Sequence, residues 1–82
     1  MKNNIKPRLK KIFVNLFGIA AKDIQSDSSP NTILNWDSLQ HLNLVASIEE
    51  EFSIHLEEED IVEMLSFGLT LQIVQNHMRT SD

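Results

Sequence analysis

The lack of cysteine constrains the fold of this chain most, because the chain has only 82 residues. A domain of this size buries a thin core, and small domains often gain stability from disulfides or a bound metal. Disulfides and thiolate metal sites both require cysteine, so the fold must depend on side-chain packing. Two glycines, two prolines and many Leu, Ile and Glu residues favour helices over short strands joined by turns. We expect one all-α domain spanning residues 1–82, without a structural metal.

Apolar residues at helical spacing predict a first helix over about Ile5–Phe17, and Gly18 is suited to end it. Residues 19–37 show no sustained helical period and contain residues typical of turns. Four apolar residues are expected to anchor this loop: Ile24, Ile33, Leu34 and Trp36. Connections longer than about 12–15 residues usually have a function. The segment to which this loop leads is therefore the first place to look for a site.

A second helix is predicted to begin at Asp37 or Ser38, and Asp37 with Gln40 forms a variant of the capping box. The apolar residues that follow recur at roughly helical spacing and are expected to form one face. This face consists of Leu39, Leu42, Val45, Ile48 and Phe52. The pattern predicts an amphipathic helix that ends near Phe52.

The acidic residues 57–60 precede a short third helix, and Gly68 is expected to close that region. Thr70 is predicted to cap a last helix, whose core face carries Leu71, Val74 and Met78. The residues of helices two and three assigned to the core are Leu42, Ile48, Phe52, Ile61, Met64 and Leu65. Together these patterns predict a four-helix bundle with three longer helices, a short third helix and a long loop between helices one and two.

The net charge of −5 is distributed unevenly along the chain. Five of the seven basic residues lie in the first eleven positions: Lys2, Lys6, Arg8, Lys10 and Lys11. From Ile12 onward two basic residues remain against all twelve acidic ones, which argues against nucleic-acid binding and favours basic proteins as partners. The basic start resembles a secretory signal, but Asn15 interrupts the apolar stretch, which is also too short to span a membrane. We expect a cytoplasmic protein.

The segment 35–42, with the sequence NWDSLQHL, resembles the modification site of acyl carrier proteins. In that family the tripeptide Asp-Ser-Leu opens the second helix, which continues to a Glu-rich end and a Phe. A short third helix and a final fourth helix follow. This chain has Asp-Ser-Leu at residues 37–39 and Ile-Glu-Glu-Glu-Phe at residues 48–52. The resemblance covers nearly the whole chain and implies a four-helix bundle of the acyl carrier type.

The resemblance implies that Ser38 is the attachment site of a 4′-phosphopantetheine arm, which a separate phosphopantetheinyl transferase transfers from coenzyme A. The positive end of a helix suits the resulting phosphodiester. Acyl groups would be held as thioesters on the thiol of the arm, so the protein itself needs no cysteine. The resemblance thus implies a monomeric carrier for fatty-acid, polyketide or specialised lipid biosynthesis. Such a carrier is not an enzyme and is loaded by an acyl ligase or transferase.

Acidic residues of helices two and three are expected to form a docking surface for synthase enzymes with basic patches. The residues predicted to contact partners are Asp37, Leu39, Glu49, Glu50, Glu58, Glu59, Asp60 and Glu63. Many fatty-acid carriers have acidic residues where this chain has Gln40 and Asn43, so the edge near the arm is less charged here. Trp36 is expected to pin the loop onto the bundle.

Three alternatives remain open from the sequence. In a small acidic helical adaptor without a prosthetic group, Ser38 would be only a helix cap. A carrier for peptide synthesis would take aminoacyl groups instead of acyl chains. A hydrolase would pair Ser38 with His41 one turn along, but the chain lacks a G-x-S-x-G motif and an acid placed to orient His41. The sequence does not determine the length of the acyl chain, the biosynthetic pathway, or whether the acyl chain is held inside the helix bundle.

Overall fold

The computed structural model describes residues 5–33 and 35–80, apart from the side chain of Thr80. Within these residues the helices are α1 (Ile5–Phe17), α2 (Ser38–Phe52), α3 (Glu58–Glu63) and α4 (Phe67–Thr80), with a 3₁₀ turn at Ala21–Asp23 and no strand. This architecture confirms the predicted all-α class with three longer helices and a short third one. Lys2 and Leu34, which entered the sequence predictions, lie outside the described residues.

Helices α1 and α2 lie antiparallel, and polar contacts join them at both ends. At one end Arg8 donates from Nε to the Glu51 carboxylate at 2.8 Å and from Nη2 to the Glu51 carbonyl at 2.7 Å. The Arg8 guanidinium also lies 4.6 Å from the centre of the Phe52 ring. At the other end Nε2 of Gln40 donates to the Leu16 carbonyl at 3.0 Å. These contacts fix where α2 begins relative to α1.

The ring of Phe13 on α1 lies at the centre of the core. Its centroid is 5.4 Å from those of Phe17 and Trp36 and 5.0 Å from that of Phe67. The contacts with Trp36 and Phe67 are edge-to-face, a favoured geometry for aromatic pairs. Around these rings lie further buried residues from α1, α2, α4, the loop and the segment just after α3, among them Leu9, Ile24, Ile33, Leu44, Ile48, Met64 and Val74. The burial of Ile24, Ile33 and Trp36 confirms these three predicted loop anchors.

The core-facing side of α2 differs from the prediction. Leu39 and Leu42 are 68% and 61% exposed. At about 100° per residue, position 39 lies roughly opposite Ile48 and position 42 about 120° from it, whereas position 41 is nearly in phase with Ile48. The sequence pattern missed this because position 41 is His41, which is polar and so did not count as part of an apolar face. The residues of α2 that are buried are Leu44, Val45, Ile48 and Phe52.

The segment between α3 and α4 also corrects the predicted core. Leu65 is 61% exposed and Val62 63% exposed, whereas Met64 is buried as predicted. Helix α3 ends at Glu63, so Leu65 lies beyond it. The helical spacing that was used to predict Leu65 as a core residue therefore does not apply there. Ile61 is partly buried and packs against the core cluster. The short helix thus covers the core with one side only and leaves apolar side chains at the surface.

Helix α4 begins at Phe67, so the predictions that Gly68 closes the preceding region and that Thr70 caps the helix are wrong. Thr70 lies within the helix and has no exposed surface, and its hydroxyl donates to the Ser66 carbonyl at 2.8 Å. The hydroxyl of Ser66 instead accepts the N–H of Leu69 at 3.1 Å, as an N-cap side chain does.

The long first loop supplies carbonyls to the N-terminus of α4. Phe67 and Gly68 donate their backbone N–H groups to the carbonyls of Ser28 and Ser26, each at 2.8 Å. The first N–H groups of a helix have no partner within the helix, so the loop satisfies two of them. A Cβ at Gly68 would lie 2.9 Å from the Ser26 oxygen. The close approach of loop and helix therefore requires glycine at this position.

Candidate functional site

Ser38 is the first residue of α2, and it is exposed. Asp37 before it has an extended backbone, and its side chain accepts the N–H of Gln40 at 2.9 Å. This is the N-cap arrangement predicted from the sequence. The Ser38 hydroxyl therefore stands at the positive end of a 15-residue helix, where an attached anion is favoured.

Gln40 does not complete the predicted capping box. Its carboxamide donates to the Leu16 carbonyl at 3.0 Å and accepts from Nδ2 of Asn43 at 2.8 Å. Asn35 donates in the same way to the Phe17 carbonyl at 3.3 Å. Two carbonyls at the end of α1, which lack partners within the helix, are satisfied by the segment that carries Ser38. Ser38 is thereby positioned by α1 as well as by its own helix.

Trp36, which is buried, and His41, which is partly buried, form a polar pair near Ser38. The indole Nε1 of Trp36 donates to Nδ1 of His41 at 2.8 Å, and the two rings are stacked with centroids 5.9 Å apart. Nε2 of His41 lies 2.9 Å from the Ile61 carbonyl on α3. An indole N–H only donates and a carbonyl only accepts, so the His41 ring is neutral and carries its proton on Nε2. The prediction that Trp36 pins the loop onto the bundle is confirmed, and its partner is a residue of α2.

An open groove of about 610 Å³ is lined by Ser38 and by residues of the loop, α2 and α3. Its polar lining residues are Asp37, Ser38 and His41. The apolar ones are Pro30, Trp36, Leu42, Ile61, Val62, Met64 and Leu65. Leu42 and Leu65, which the sequence assigned to the core, thus line a surface groove next to Ser38. The exposure of Leu42 could have been predicted from the helical period. Position 41 is nearly in phase with Ile48, so a helix that buries Ile48 turns His41 inward and Leu42 away from the core.

The contacts of His41 weigh against the hydrolase alternative. A general base must have a ring nitrogen available to accept the proton of its nucleophile. Nδ1 of His41 accepts from Trp36, and Nε2 holds the proton that it donates to the Ile61 carbonyl. His41 therefore links three segments of the fold and has no free lone pair for Ser38.

The other histidines form separate pairs with acids. Nδ1 of His55 lies 3.5 Å from Glu49, and Nε2 of His77 lies 2.8 Å from Asp60. Across residues 5–33 and 35–80, no three His, Asp or Glu side chains are grouped so that they could hold a metal ion. No helix in those same two ranges has the length and apolar content to span a membrane.

Similarity to known proteins identifies the family of this chain. A curated protein of Chlamydia trachomatis serovar L2, named acyl carrier protein, is 30% identical over 74 residues, which cover 90% of this chain and 96% of that protein. The chain belongs to the acyl carrier protein family. The crystal structure of an acyl carrier protein from Thermotoga maritima matches the fold with a TM-score of 0.80 over the full length of both chains, at 19% identity. No family model matches the sequence.

In this member of the acyl carrier protein family, Glu49 on α2 has a structural role. Its carboxylate accepts the N–H of Leu56 at 2.8 Å and lies 3.5 Å from His55. An acid near the C-terminal end of a helix opposes the helix dipole. The structure gives Glu49 a compensating function, because it holds the chain that connects α2 to α3.

Asp60 likewise has partners inside this acyl carrier protein. It accepts the N–H of Glu57 at 3.1 Å and lies 2.8 Å from Nε2 of His77 on α4. The hydrogen bond from His77 lowers the pKa of Asp60, and the Glu57 N–H and the charge of His77 lower it further, whereas burial opposes the shift. Glu57 and Asp60 form the capping box of α3. The five other acids predicted for recognition are exposed: Asp37, Glu50, Glu58, Glu59 and Glu63.

Proposed function

We propose that this protein carries acyl groups as thioesters on a 4′-phosphopantetheine arm attached to Ser38. The observation that carries the proposal is that Ser38 is exposed at the N-terminus of α2 and lines an apolar groove. Attachment joins Oγ of Ser38 to the phosphorus that bears the pantetheine group, breaks the phosphoanhydride bond of coenzyme A, and releases its nucleotide part together with the hydroxyl proton of Ser38. The positive end of α2 favours the phosphodiester that results. When bound, the arm supplies the thiol that this cysteine-free chain lacks.

The lining of the groove supports aliphatic acyl cargo over aminoacyl cargo. Both ring nitrogens of His41 have partners in the protein. Among the described residues that line the groove, Asp37 next to Ser38 is the one with a charged side chain. An ammonium group in the groove would lose water without a buried partner to replace it, which is costly. A methylene chain would gain from covering Leu42, Val62 and Leu65.

The proposed function requires separate partner enzymes. These are a phosphopantetheinyl transferase, an acyl-loading ligase or transferase, and synthase enzymes with basic docking patches in fatty-acid, polyketide or specialised lipid biosynthesis. The residues proposed to contact them are Asp37 and the exposed Leu39, Glu50, Glu58, Glu59 and Glu63, with Glu49 and Asp60 adding negative charge. We propose that the protein acts as one cytoplasmic domain over residues 1–82 and as a monomer, and that it is not itself an enzyme.

Mass spectrometry tests the proposal directly. The protein is incubated with coenzyme A and a phosphopantetheinyl transferase, and we expect it to gain one phosphopantetheine group. Ser38→Ala should remove the gain completely, because it removes the attacking oxygen. Ser47→Ala, the same change within α2, is the matched control and should be modified normally. If the wild-type protein is not modified, the chain is a helical adaptor in which Ser38 serves only as the start of a helix.

A further inference from the structure

His41 connects α2 to α3 through the hydrogen bonds of its ring. The His41 bridge consists of two hydrogen bonds, from Trp36 Nε1 to His41 Nδ1 at 2.8 Å and from His41 Nε2 to the Ile61 carbonyl at 2.9 Å. It therefore joins the first loop, α2 and α3. Both of its bonds are partly buried, where an unpaired nitrogen or carbonyl would be costly. Separating α2 from α3 at this level would leave such groups without partners.

Core residues contributed by α2, by α4 and by the segment after α3 are closed to solvent. Ile48 and Val74 have no exposed surface, and Met64 is 1% exposed. Space for an alkyl chain instead lies outside, where Leu42, Val62 and Leu65 are each more than half exposed and line the groove that also contains Ser38. An arm attached to Ser38 thus begins within the same groove that these apolar side chains line.

We propose that His41 determines the position of the cargo: by holding α2 against α3, it keeps the acyl chain in the groove formed by Leu42, Val62 and Leu65, outside the bundle core. The occupant of the groove is an unbranched aliphatic acyl group tethered through Ser38. This inference rests on the proposed function, because the tether delivers the chain to the groove. A chain held at the surface leaves its thioester accessible to water and to small nucleophiles.

NMR of the loaded wild-type protein tests the inference without any variant. The protein is loaded from acetyl- or octanoyl-coenzyme A by a phosphopantetheinyl transferase, and methyl spectra of the two forms are compared. We expect shift differences at Leu42, Val62 and Leu65, which line the groove, and none at Leu44, Ile48 and Val74. Differences at Leu44, Ile48 or Val74 in the wild-type protein would place the octanoyl chain in the core and overturn the inference.

Substitution of His41 gives a second, independent measurement. In His41→Ala the bridge is lost, so we expect shift differences at Ile48 and Val74 and a slower reaction of the octanoyl thioester with hydroxylamine. The expected decrease is roughly tenfold relative to wild type, because a thioester sheltered for about nine-tenths of the time reacts only during the remainder. The acetyl thioester, which is too short to enter, should react at the wild-type rate. An unchanged rate for the octanoyl thioester of His41→Ala would contradict the role of His41.

Two further variants separate the bridge from a general effect of losing histidine. In His41→Gln the side-chain amide can still donate to the Ile61 carbonyl, so the wild-type rate is expected. His55→Ala, the same change at an exposed histidine, should also leave the rate unchanged. Failure of the wild-type protein to accept either acyl-phosphopantetheine would refute the proposed function itself, whereas loading followed by core shifts refutes only the placement of the chain.

Discussion

Trp36 and His41 illustrate how polar atoms are buried in this small core. Trp36 is only 4% exposed, and an unpaired indole N–H in such a place costs about 1–3 kcal/mol. The bond to Nδ1 of His41 removes this cost. The hydrogen bond also fixes the orientation of the Trp36 ring, because an indole N–H can donate along only one line. The last residues of the loop, and with them Ser38, are thereby held in one position.

Trp36→Phe should separate the hydrogen bond from the packing of the ring. The phenyl ring keeps contact with Phe13 and Phe17 but leaves Nδ1 of His41 without a donor. We expect the free energy of unfolding to fall by about 1–3 kcal/mol, whereas Trp36→Ala should cost about 3–5 kcal/mol because it also leaves a cavity. Urea unfolding followed by circular dichroism measures both, since Trp36 is the only tryptophan and its fluorescence is lost. Equal losses in the two variants would contradict this separation.

Gly68→Ala should be destabilising, although alanine usually stabilises a helix relative to glycine by about 1 kcal/mol. The added Cβ would lie 2.9 Å from the Ser26 carbonyl oxygen. Relief of this contact moves the loop away from α4 and weakens the bonds of Ser26 and Ser28 to its first N–H groups. A lower midpoint of thermal unfolding, with faster amide exchange at Phe67, is the expected result. A raised midpoint would show that the loop adapts without loss.

Among the four helices of the described residues, α3 depends most on contacts with neighbouring elements for its stability. A helix of six residues is too short to be stable alone, because nucleation is unfavourable. Three contacts compensate: the Glu57–Asp60 capping box, the Asp60–His77 pair to α4 and the bond from His41 of α2 to the Ile61 carbonyl. The position of α3, which forms one side of the groove, is therefore set by α2 and α4.

Asp60→Asn should weaken the attachment of α3 to α4. The hydrogen bond from His77 lowers the pKa of Asp60 below its usual value, so the stability that this carboxylate contributes is complete above about pH 4 and is lost as the pH falls below it. We expect Asp60→Asn to cost about 1 kcal/mol at neutral pH and to lose less stability than wild type on acidification. Urea unfolding at several pH values measures this difference.

Asp23→Asn is the matched control for the Asp60 experiment, because Asp23 is exposed on the 3₁₀ turn. It should follow the wild-type dependence of stability on pH. If Asp60→Asn also follows the wild-type curve, the Asp60–His77 pair does not contribute to acid sensitivity.

At the scale of the whole molecule, opposite charges gather at different places. The basic residues of α1 begin at the end where Arg8 meets Glu51, which is the end of α2 remote from Ser38. Glu58, Glu59 and Glu63 belong to α3, which contacts α2 through His41, one turn from Ser38. We expect the negative potential near Ser38 to attract basic partners and to raise the rate of encounter.

The double variant Glu58→Gln/Glu59→Gln should slow association with a basic phosphopantetheinyl transferase. We expect a rate constant several-fold lower at low ionic strength and a difference that shrinks as salt is added, since salt screens exposed charges beyond about 10 Å. Asp23→Asn/Asp27→Asn makes the same charge change in the first loop and should have little effect. Stopped-flow or surface-binding kinetics measure the rates. Equal slowing by both pairs would mean that only net charge matters.

A structural feature could be predicted from the sequence when the residues that contact or hydrogen-bond each other are close together in the chain. The bounds of α1 and the cap at Asp37 follow from local spacing and capping, and both are confirmed. The start of α4 was predicted too late in the chain: the Ser66 cap is a local signal, but two of the first N–H groups bond to loop carbonyls about 40 residues away. Its sequence alone gives no sign of those acceptors.

The sequence by itself determined the helical class, the order and approximate bounds of the helices, and the placement of Ser38 at the head of α2, because each depends on periodicity and caps within a few residues. Tertiary structure alone decided which face of α2 is buried. His41 could occupy a core position only because Trp36 and Ile61 supply the two partners that its ring requires. With His41 turned inward, Leu42 faces solvent, and the groove next to Ser38 exists for that reason.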